Sequence, residues 1–281
     1  MVQLILSFTG FSRLPSNTAI TGKDAFTGRT ALHLACINGN DQVLRLLLLS
    51  SGASAGGQAQ MMDNSGMTPI DYAVKYKHRE LIRRIVLSTR GSFHNGDPRS
   101  RTVLMIAAAH CFNSLAEEQL EKSLDDPEGQ DSTLMTPLHY AAAGSNAAVT
   151  KMLLKMGVFV DPVDHTGRTP LHIAARIGNA KILRQLLACG AGKNARDKYG
   201  MTPLHLACRG GSVKIVAMLL RAGSEKYINV VDKFKRTPLH ICARHRSSNA
   251  ACELLVKKGA DLTALDVNGK LPNWPVVKKD K

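Results

Sequence analysis

Five histidines, His33, His139, His172, His205 and His240, stand in the same place of near-identical strings. Within three residues of three of them comes a cysteine: Cys36, Cys208 and Cys242. Imidazole and thiolate are the donors of tetrahedral zinc, so H-x-x-C and H-x-C read first as metal chemistry. The histidines, however, lie 33 residues apart at the closest. Donors a whole repeat apart cannot converge on one ion without collapsing the chain between them. No metal and no cofactor is expected. Cys111, Cys189 and Cys252 fall outside the strings, with nothing nearby that singles one out as a nucleophile. Neither a phosphate-cradling G-x-x-x-x-G-K-[ST] nor H-E-x-x-H occurs. No catalytic residue is assigned, and the chain is expected not to be an enzyme.

The elements that hold these residues follow from the strings. Thr136-Pro-Leu-His-Tyr-Ala-Ala, Thr169-Pro-Leu-His-Ile-Ala-Ala, Thr202-Pro-Leu-His-Leu-Ala-Cys and Thr237-Pro-Leu-His-Ile-Cys-Ala share one grammar, and Thr30-Ala-Leu-His-Leu-Ala-Cys joins them. Thr68-Pro-Ile-Asp-Tyr-Ala-Val and Thr102-Val-Leu-Met-Ile-Ala-Ala are looser copies, and from Thr to Thr the steps are 38, 34, 34, 33, 33 and 35 residues. Thr accepts backbone N–H groups at an N-cap, and Pro at the first helical position loses no bond, so each Thr-Pro starts a helix. After a turn such as Gly178-Asn179, apolar residues return at helical spacing, Ile182, Leu183, Leu186 and Leu187, up to Gly190. Turns such as Asp164-His-Thr-Gly167 and Asp197-Lys-Tyr-Gly200 precede each Thr. One unit is therefore loop, helix, turn, helix. Two short helices cannot bury their own apolar faces, so units must stack on one another.

The strings resemble the T-P-L-H-x-A signature of ankyrin repeats, with their period of about 33 residues. The resemblance implies an all-α ankyrin solenoid of about seven helix-turn-helix units with hairpin-like loops. It covers residues 25–262, with units starting near 25, 63, 97, 131, 164, 197 and 232. A truncated capping repeat and a basic tail fill 263–281, and 1–24 are a leader or cap. It also implies that the string histidine is structural, bonding backbone between adjacent loops. A thiol after it then fills a tight inner-helix position usually held by Ala. Asn194, in Leu186-Leu-Ala-Cys-Gly-Ala-Gly-Lys-Asn194, resembles the asparagine hydroxylated in ankyrin proteins, although Gly192-Lys193 replaces the usual Asp-Val. The third unit departs most. Seven acids against Lys122 between Leu115 and Asp131 predict an irregular second helix, a long acidic loop and lower local stability.

The net charge is +15, and from Asp164 to Leu262 there are eighteen bases against six acids, so three units carry most of it. Seven residues after their Thr stand Lys75, Arg176, Arg209 and Arg244, at the end of the first helix, which in the ankyrin fold faces the concave side. Just before Thr stand Arg29, Arg101, Arg168 and Arg236, alternating with Met67, Met135 and Met201. Lys198, Tyr199, Lys233 and Phe234 sit at loop tips. Arg168, Arg176, Lys198, Tyr199, Arg209, Lys233, Phe234, Arg236 and Arg244 are the candidate partner-binding residues, on a basic groove suited to an acidic or phosphorylated segment. The expected function is that of a non-catalytic scaffold or adaptor. Its alternative is a recruiting module of an enzyme whose catalytic part lies elsewhere. Aromatics make up 5% of the chain, too few for base stacking, so nucleic acid would bind only nonspecifically and with strong salt dependence. No run of about 18 apolar residues is present. Six cysteines form no disulfide scaffold, which points to the cytoplasm or nucleus. The chain is expected to be monomeric apart from its partner.

Overall fold

The computed structural model describes residues 22–51, 59–88, 100–244 and 249–274. The expectations placed on the leader up to residue 21, the third-unit start at Asp97 and the basic tail Lys278–Lys281 lie outside the described residues. So does most of the long loop from Ser50 to Met61.

All regular structure among the described residues is helical and comes in seven pairs: α1 Ala31–Asn38 with α2 Asp41–Ser51, α3 Pro69–Lys75 with α4 Arg79–Ser88, α5 Val103–Ala109 with α6 Asn113–Glu121, α7 Pro137–Ala143 with α8 Ala147–Lys155, α9 Pro170–Ile177 with α10 Ala180–Ala188, α11 Pro203–Gly210 with α12 Val213–Arg221, and α13 Pro238–Ala243 with α14 Asn249–Lys257. One 3-10 turn, Ser224–Tyr227, follows α12.

The local rules are visible at α9. Thr169, at φ −89° and ψ 165°, accepts the His172 N–H, Pro170 opens the helix, and Gly178 at φ +90° ends it. Asn179 then caps α10 by accepting the N–H groups of Lys181 and Ile182, each at 3.1 Å. Helices of six to eleven residues are too short to persist alone in water, so burial must hold them.

The chain divides into two compact units: residues up to Ile106 with Ser114–Asp125, and Ala107–Asn113 with the residues from Asp126 onward. In the N-terminal unit α1 packs on α3 and α2 on α4, burying Leu32, Leu44, Leu47, Ile70, Ile82 and Ile85. In the C-terminal unit the first helices α7, α9, α11 and α13 pack in sequence, as do the second helices α8, α10, α12 and α14. Leu138, Leu153, Leu171, Ile182, Leu204, Leu219, Leu239 and Leu255 fill the space between.

Two backbone devices shape the successive loops. N–H groups of one loop donate to carbonyls of the preceding one, from His165 to Thr133, Lys198 to Thr166, Lys233 to Tyr199 and Val267 to Phe234, at 2.8–3.0 Å. The residue two places before each Thr takes the left-handed conformation. It is glycine at Gly28, Gly66, Gly167 and Gly200, but Ser100 (φ +53°), Leu134 (+61°) and Lys235 (+55°) adopt it too.

The third pair differs from expectation. Its second helix, Asn113–Glu121, is regular, because Leu115, Ala116 and Gln119 form a buried stripe while Glu117 and Glu121 face water. The expected long acidic loop follows over residues 122–136, with Asp126 and Glu128 exposed, and its acids also serve as backbone acceptors. Asp125 takes the Leu104 N–H at 2.7 Å, Asp126 the Glu128 N–H at 2.9 Å, and Asp131 the N–H groups of Thr133 and Met135.

Candidate functional site

The string histidines are fully engaged. In His33, His139, His172, His205 and His240, Nδ1 accepts the backbone N–H of the Thr three residues before it at 3.0–3.1 Å. Each Nε2 lies 2.9–3.1 Å from a carbonyl oxygen just beyond the next loop, that of Met67, Arg168, Met201, Arg236 and Lys270 in turn. A carbonyl can only accept, so Nε2 carries the proton and the ring is neutral. Such a ring has no lone pair left for a metal. Burial pushes the pKa of His33, His139 and His172 down, and that of His205 down to about 4. Cys36, Cys208 and Cys242 are buried after their histidines, and burial raises the Cys36 thiol. Cys111 and Cys189 are exposed.

One further catalytic spacing, beside the two motifs that are missing, does occur in the chain. Gly52-Ala53-Ser54-Ala55-Gly56 has the G-x-S-x-G form of a nucleophile elbow. That motif works on a turn from strand to helix, whereas here it follows α2, and it lies outside the described residues.

The candidate binding residues all fall in the C-terminal unit, and they divide into three kinds. Arg176 and Arg209 end α9 and α11, Arg244 follows α13, and all three are exposed. Among the described residues no carboxylate lies within ion-pair distance of them. A cation in a helix's last turn is also favoured by the helix dipole, so local stability and ligand binding both fit this position. Close packing keeps the helix ends together: a Cβ on Gly210 would sit 2.3 Å from the Arg176 carbonyl oxygen.

Arg168 and Arg236 are already paired. Arg168 bonds the buried Asp164 through Nε at 2.8 Å and a terminal nitrogen at 2.7 Å, and Arg236 bonds Asp232 at 2.8 and 2.6 Å. Burial opposes ionisation of Asp164, but the Thr166 hydroxyl, the Arg168 backbone and side chain and the Thr166 N–H outweigh it and hold its carboxyl at about 2. The Asp-x-x-x-Arg spacing that makes these pairs is present in the sequence as a signal.

At the loop tips Lys198, Tyr199, Lys233 and Phe234 are exposed, and the Arg236 guanidinium stacks on the Phe234 ring at 4.6 Å. Met201 is buried instead of presented at the surface. Asn194 is half-buried in a turn closed by a bond from the Ala195 N–H to the Gly192 carbonyl. One concavity gathers part of the set. Met201, Arg209, Arg236, Ile241 and Arg244 line a space of about 380 Å³ at the junction of α11 and α13.

Stacked helix pairs, an N-cap Thr before the first helices and histidine bridges to the next loop define a helical repeat protein. The chain belongs to the ankyrin-repeat family: the family description "Ankyrin repeats" matches residues 2–95, 104–197 and 174–266. Repeats of this family are generally non-catalytic modules of protein–protein interaction. The chain is 28% identical to Rabankyrin-5 of Mus musculus over 146 residues, half of this chain and 12% of that protein. It is 34% identical to Neurogenic locus notch homolog protein 1 of Mus musculus over 135 residues, 48% of this chain and 5% of that one. Over 85 residues, 30% of the chain and 11% of its relative, it is 34% identical to Tyrosine-protein kinase HTK16 of Hydra vulgaris. The matched region is thus a small part of each of these proteins. No helix among the described residues is long and apolar enough to cross a membrane.

Proposed function

We propose that this chain is a non-catalytic adaptor whose C-terminal unit binds an acidic or phosphorylated segment of a partner protein on its concave loop and inner-helix face. The reading rests on one observation above all. Arg176, Arg209 and Arg244 occupy the same place at the ends of three successive first helices, exposed and without a carboxylate partner among the described residues. Arg168 and Arg236, held by their aspartates, add oriented N–H edges, and Lys198, Tyr199, Lys233 and Phe234 complete the set at the loop tips. Tyr and Phe give an extended ligand apolar footholds between charges. Binding of this kind takes place in the cytoplasm or nucleus, with the chain monomeric apart from its partner, and hydroxylation at Asn194 would tune stability.

Reversing Arg176, Arg209 and Arg244 to Glu tests it. Because the three side chains are exposed, the circular dichroism of the variant should match the parent, while capture of the native partner from cell extract should be lost. Undiminished capture removes the proposal. A second reading, a recruiting module within a larger enzyme, is favoured by the match to a small part of a tyrosine-protein kinase. The mass of the native polypeptide separates the two.

A further inference from the structure

Deepening the reading just proposed, we infer that the concavity between α11 and α13 is a subsite for a phosphotyrosine side chain, gripped by Arg209, Arg236 and Arg244 with its ring over Met201 and Ile241. Five observations support this. The space is about 380 Å³, far more than a bare phosphate fills. Its floor is apolar, with Met201 and Ile241 both buried. Its charge is that of three guanidinium groups against one carboxylate, Asp232, so a net of two positive charges faces a phosphomonoester that carries nearly two negative ones at neutral pH. One guanidinium is held in place before any ligand arrives: Arg236 is bonded twice to Asp232 and stacked on Phe234, so little side-chain entropy remains to be lost. The other two, Arg209 and Arg244, are exposed and lack carboxylate partners among the described residues, so they are available to close on an anion from either side.

The apolar floor decides between phosphorylated side chains. Phosphoserine offers a single methylene and has almost no apolar surface of its own to bury on that floor. A phenyl ring laid on that floor is itself taken out of water and so adds its own burial to the ionic contacts. Forked Arg contacts to phosphate are directional, and a lysine at the same place supplies only a point charge.

The test titrates phenyl phosphate, inorganic phosphate and a polyglutamate peptide into the full chain, following guanidinium Nε–H and methyl resonances. Saturable binding of phenyl phosphate, about tenfold tighter than inorganic phosphate as expected for one buried ring face, with shifts at Arg209, Arg244, Met201 and Ile241, supports the inference. Binding should weaken by about tenfold or more in R209K/R244K, which keeps the charge but not the fork. It should also weaken as pH falls from 7.5 to 5.5, because the phosphomonoester takes up a proton near pH 6. If polyglutamate binds and phenyl phosphate does not, the acidic-segment reading stands and this inference falls. Equal affinity for inorganic and phenyl phosphate also overturns it, as does an oligonucleotide that binds tighter than phenyl phosphate and displaces it. If no anion binds, both readings fall.

Discussion

His205 ties one repeat to the next: its Nε2–H donates to the carbonyl oxygen of Arg236, 3.1 Å away, while its Nδ1 accepts the Thr202 N–H at 3.1 Å. Burial disfavours the charged ring more than the nearby Arg236 carbonyl and Asp232 favour it, so the pKa falls from 6.5 to about 4. A group whose folded pKa is lowered in this way, and which is charged when protonated, destabilises the fold as acid is added. Between pH 6.5 and 4 the unfolded chain binds the proton and the folded chain does not, so stability declines through that window and is flat below it. A tenfold difference in proton affinity between the two states is worth about 1.4 kcal/mol, which puts the loss at roughly 3 kcal/mol for this residue. Urea unfolding of the parent and of His205→Leu at about pH 7 and about pH 4.5 checks it. The variant should be weaker by about 2–4 kcal/mol at neutral pH, since it leaves the Thr202 N–H and Arg236 carbonyl unpaired. It should then lose distinctly less on acidification. Parallel pH slopes would show that His205 does not stay neutral in the fold.

Asp164 plays the matching part within its own loop. One carboxylate oxygen accepts the N–H groups of Thr166 and Arg168 at 2.8 and 3.0 Å, and the other holds the Arg168 side chain. In the fold its pKa of about 2 lies below the 3.8 of an ordinary aspartate. The stabilisation is therefore fully present above about pH 4 and is lost as pH falls through about 2. Asp164→Ala should cost about 2–3 kcal/mol at neutral pH. The gap to the parent should close as the pH is lowered from about 4 to about 2, measured by denaturant midpoints. A gap that persists at the acid end would assign the effect to packing rather than charge.

Much of this architecture can be read from residue types alone. Thr, Pro and the spacing of Leu and Ile locate the first helices, because capping and periodicity act over only a few residues. What escapes such a reading is decided by distance in space or by two roles competing for one residue. The acids of the third unit suggest an irregular second helix, yet Leu115, Ala116 and Gln119 set a helical stripe that outweighs them. The arginines before each Thr look like free ligand contacts, while Arg168 and Arg236 are drawn back onto Asp164 and Asp232. Met201 shares their place before Thr yet is buried, because packing between adjacent first helices and not position in the repeat decides which of these side chains is covered.

Gly210 closes α11 at a point where the Arg176 backbone crosses it. It has no left-handed φ, so the demand is for space alone: a Cβ there would meet the Arg176 carbonyl oxygen at 2.3 Å and its carbonyl carbon at 3.1 Å. Helix propensity favours Ala over Gly by about 1 kcal/mol. Backbone atoms cannot rotate out of the way as a side chain can, so the clash should win, with Gly210→Ala destabilising by about 1–3 kcal/mol. Thermal unfolding reads this directly. Because the shift would part the ends of α9 and α11, the same variant should also weaken any ligand that spans Arg176 and Arg209. An unchanged or raised melting temperature would mean that the two helices do not approach this closely.

Lys235 presents the opposite case, a side chain where the loop wants none. It adopts φ +55°, at the place where Gly167, Gly200 and Gly269 take +77°, +75° and +68°. The left-handed conformation costs a residue with a Cβ about 1–2 kcal/mol. Glycine removes that strain but loses about 0.5–1 kcal/mol through the greater freedom of its unfolded chain. The balance favours Lys235→Gly by about 0.5 kcal/mol, seen as a small rise in the denaturant midpoint. Lys235 does not line the concavity formed by Met201, Arg209, Arg236, Ile241 and Arg244. Phenyl phosphate should therefore bind this variant as it binds the parent, despite the loss of one positive charge. A drop in affinity equal to that of R209K/R244K would mean that binding follows total charge and not the placed guanidinium groups.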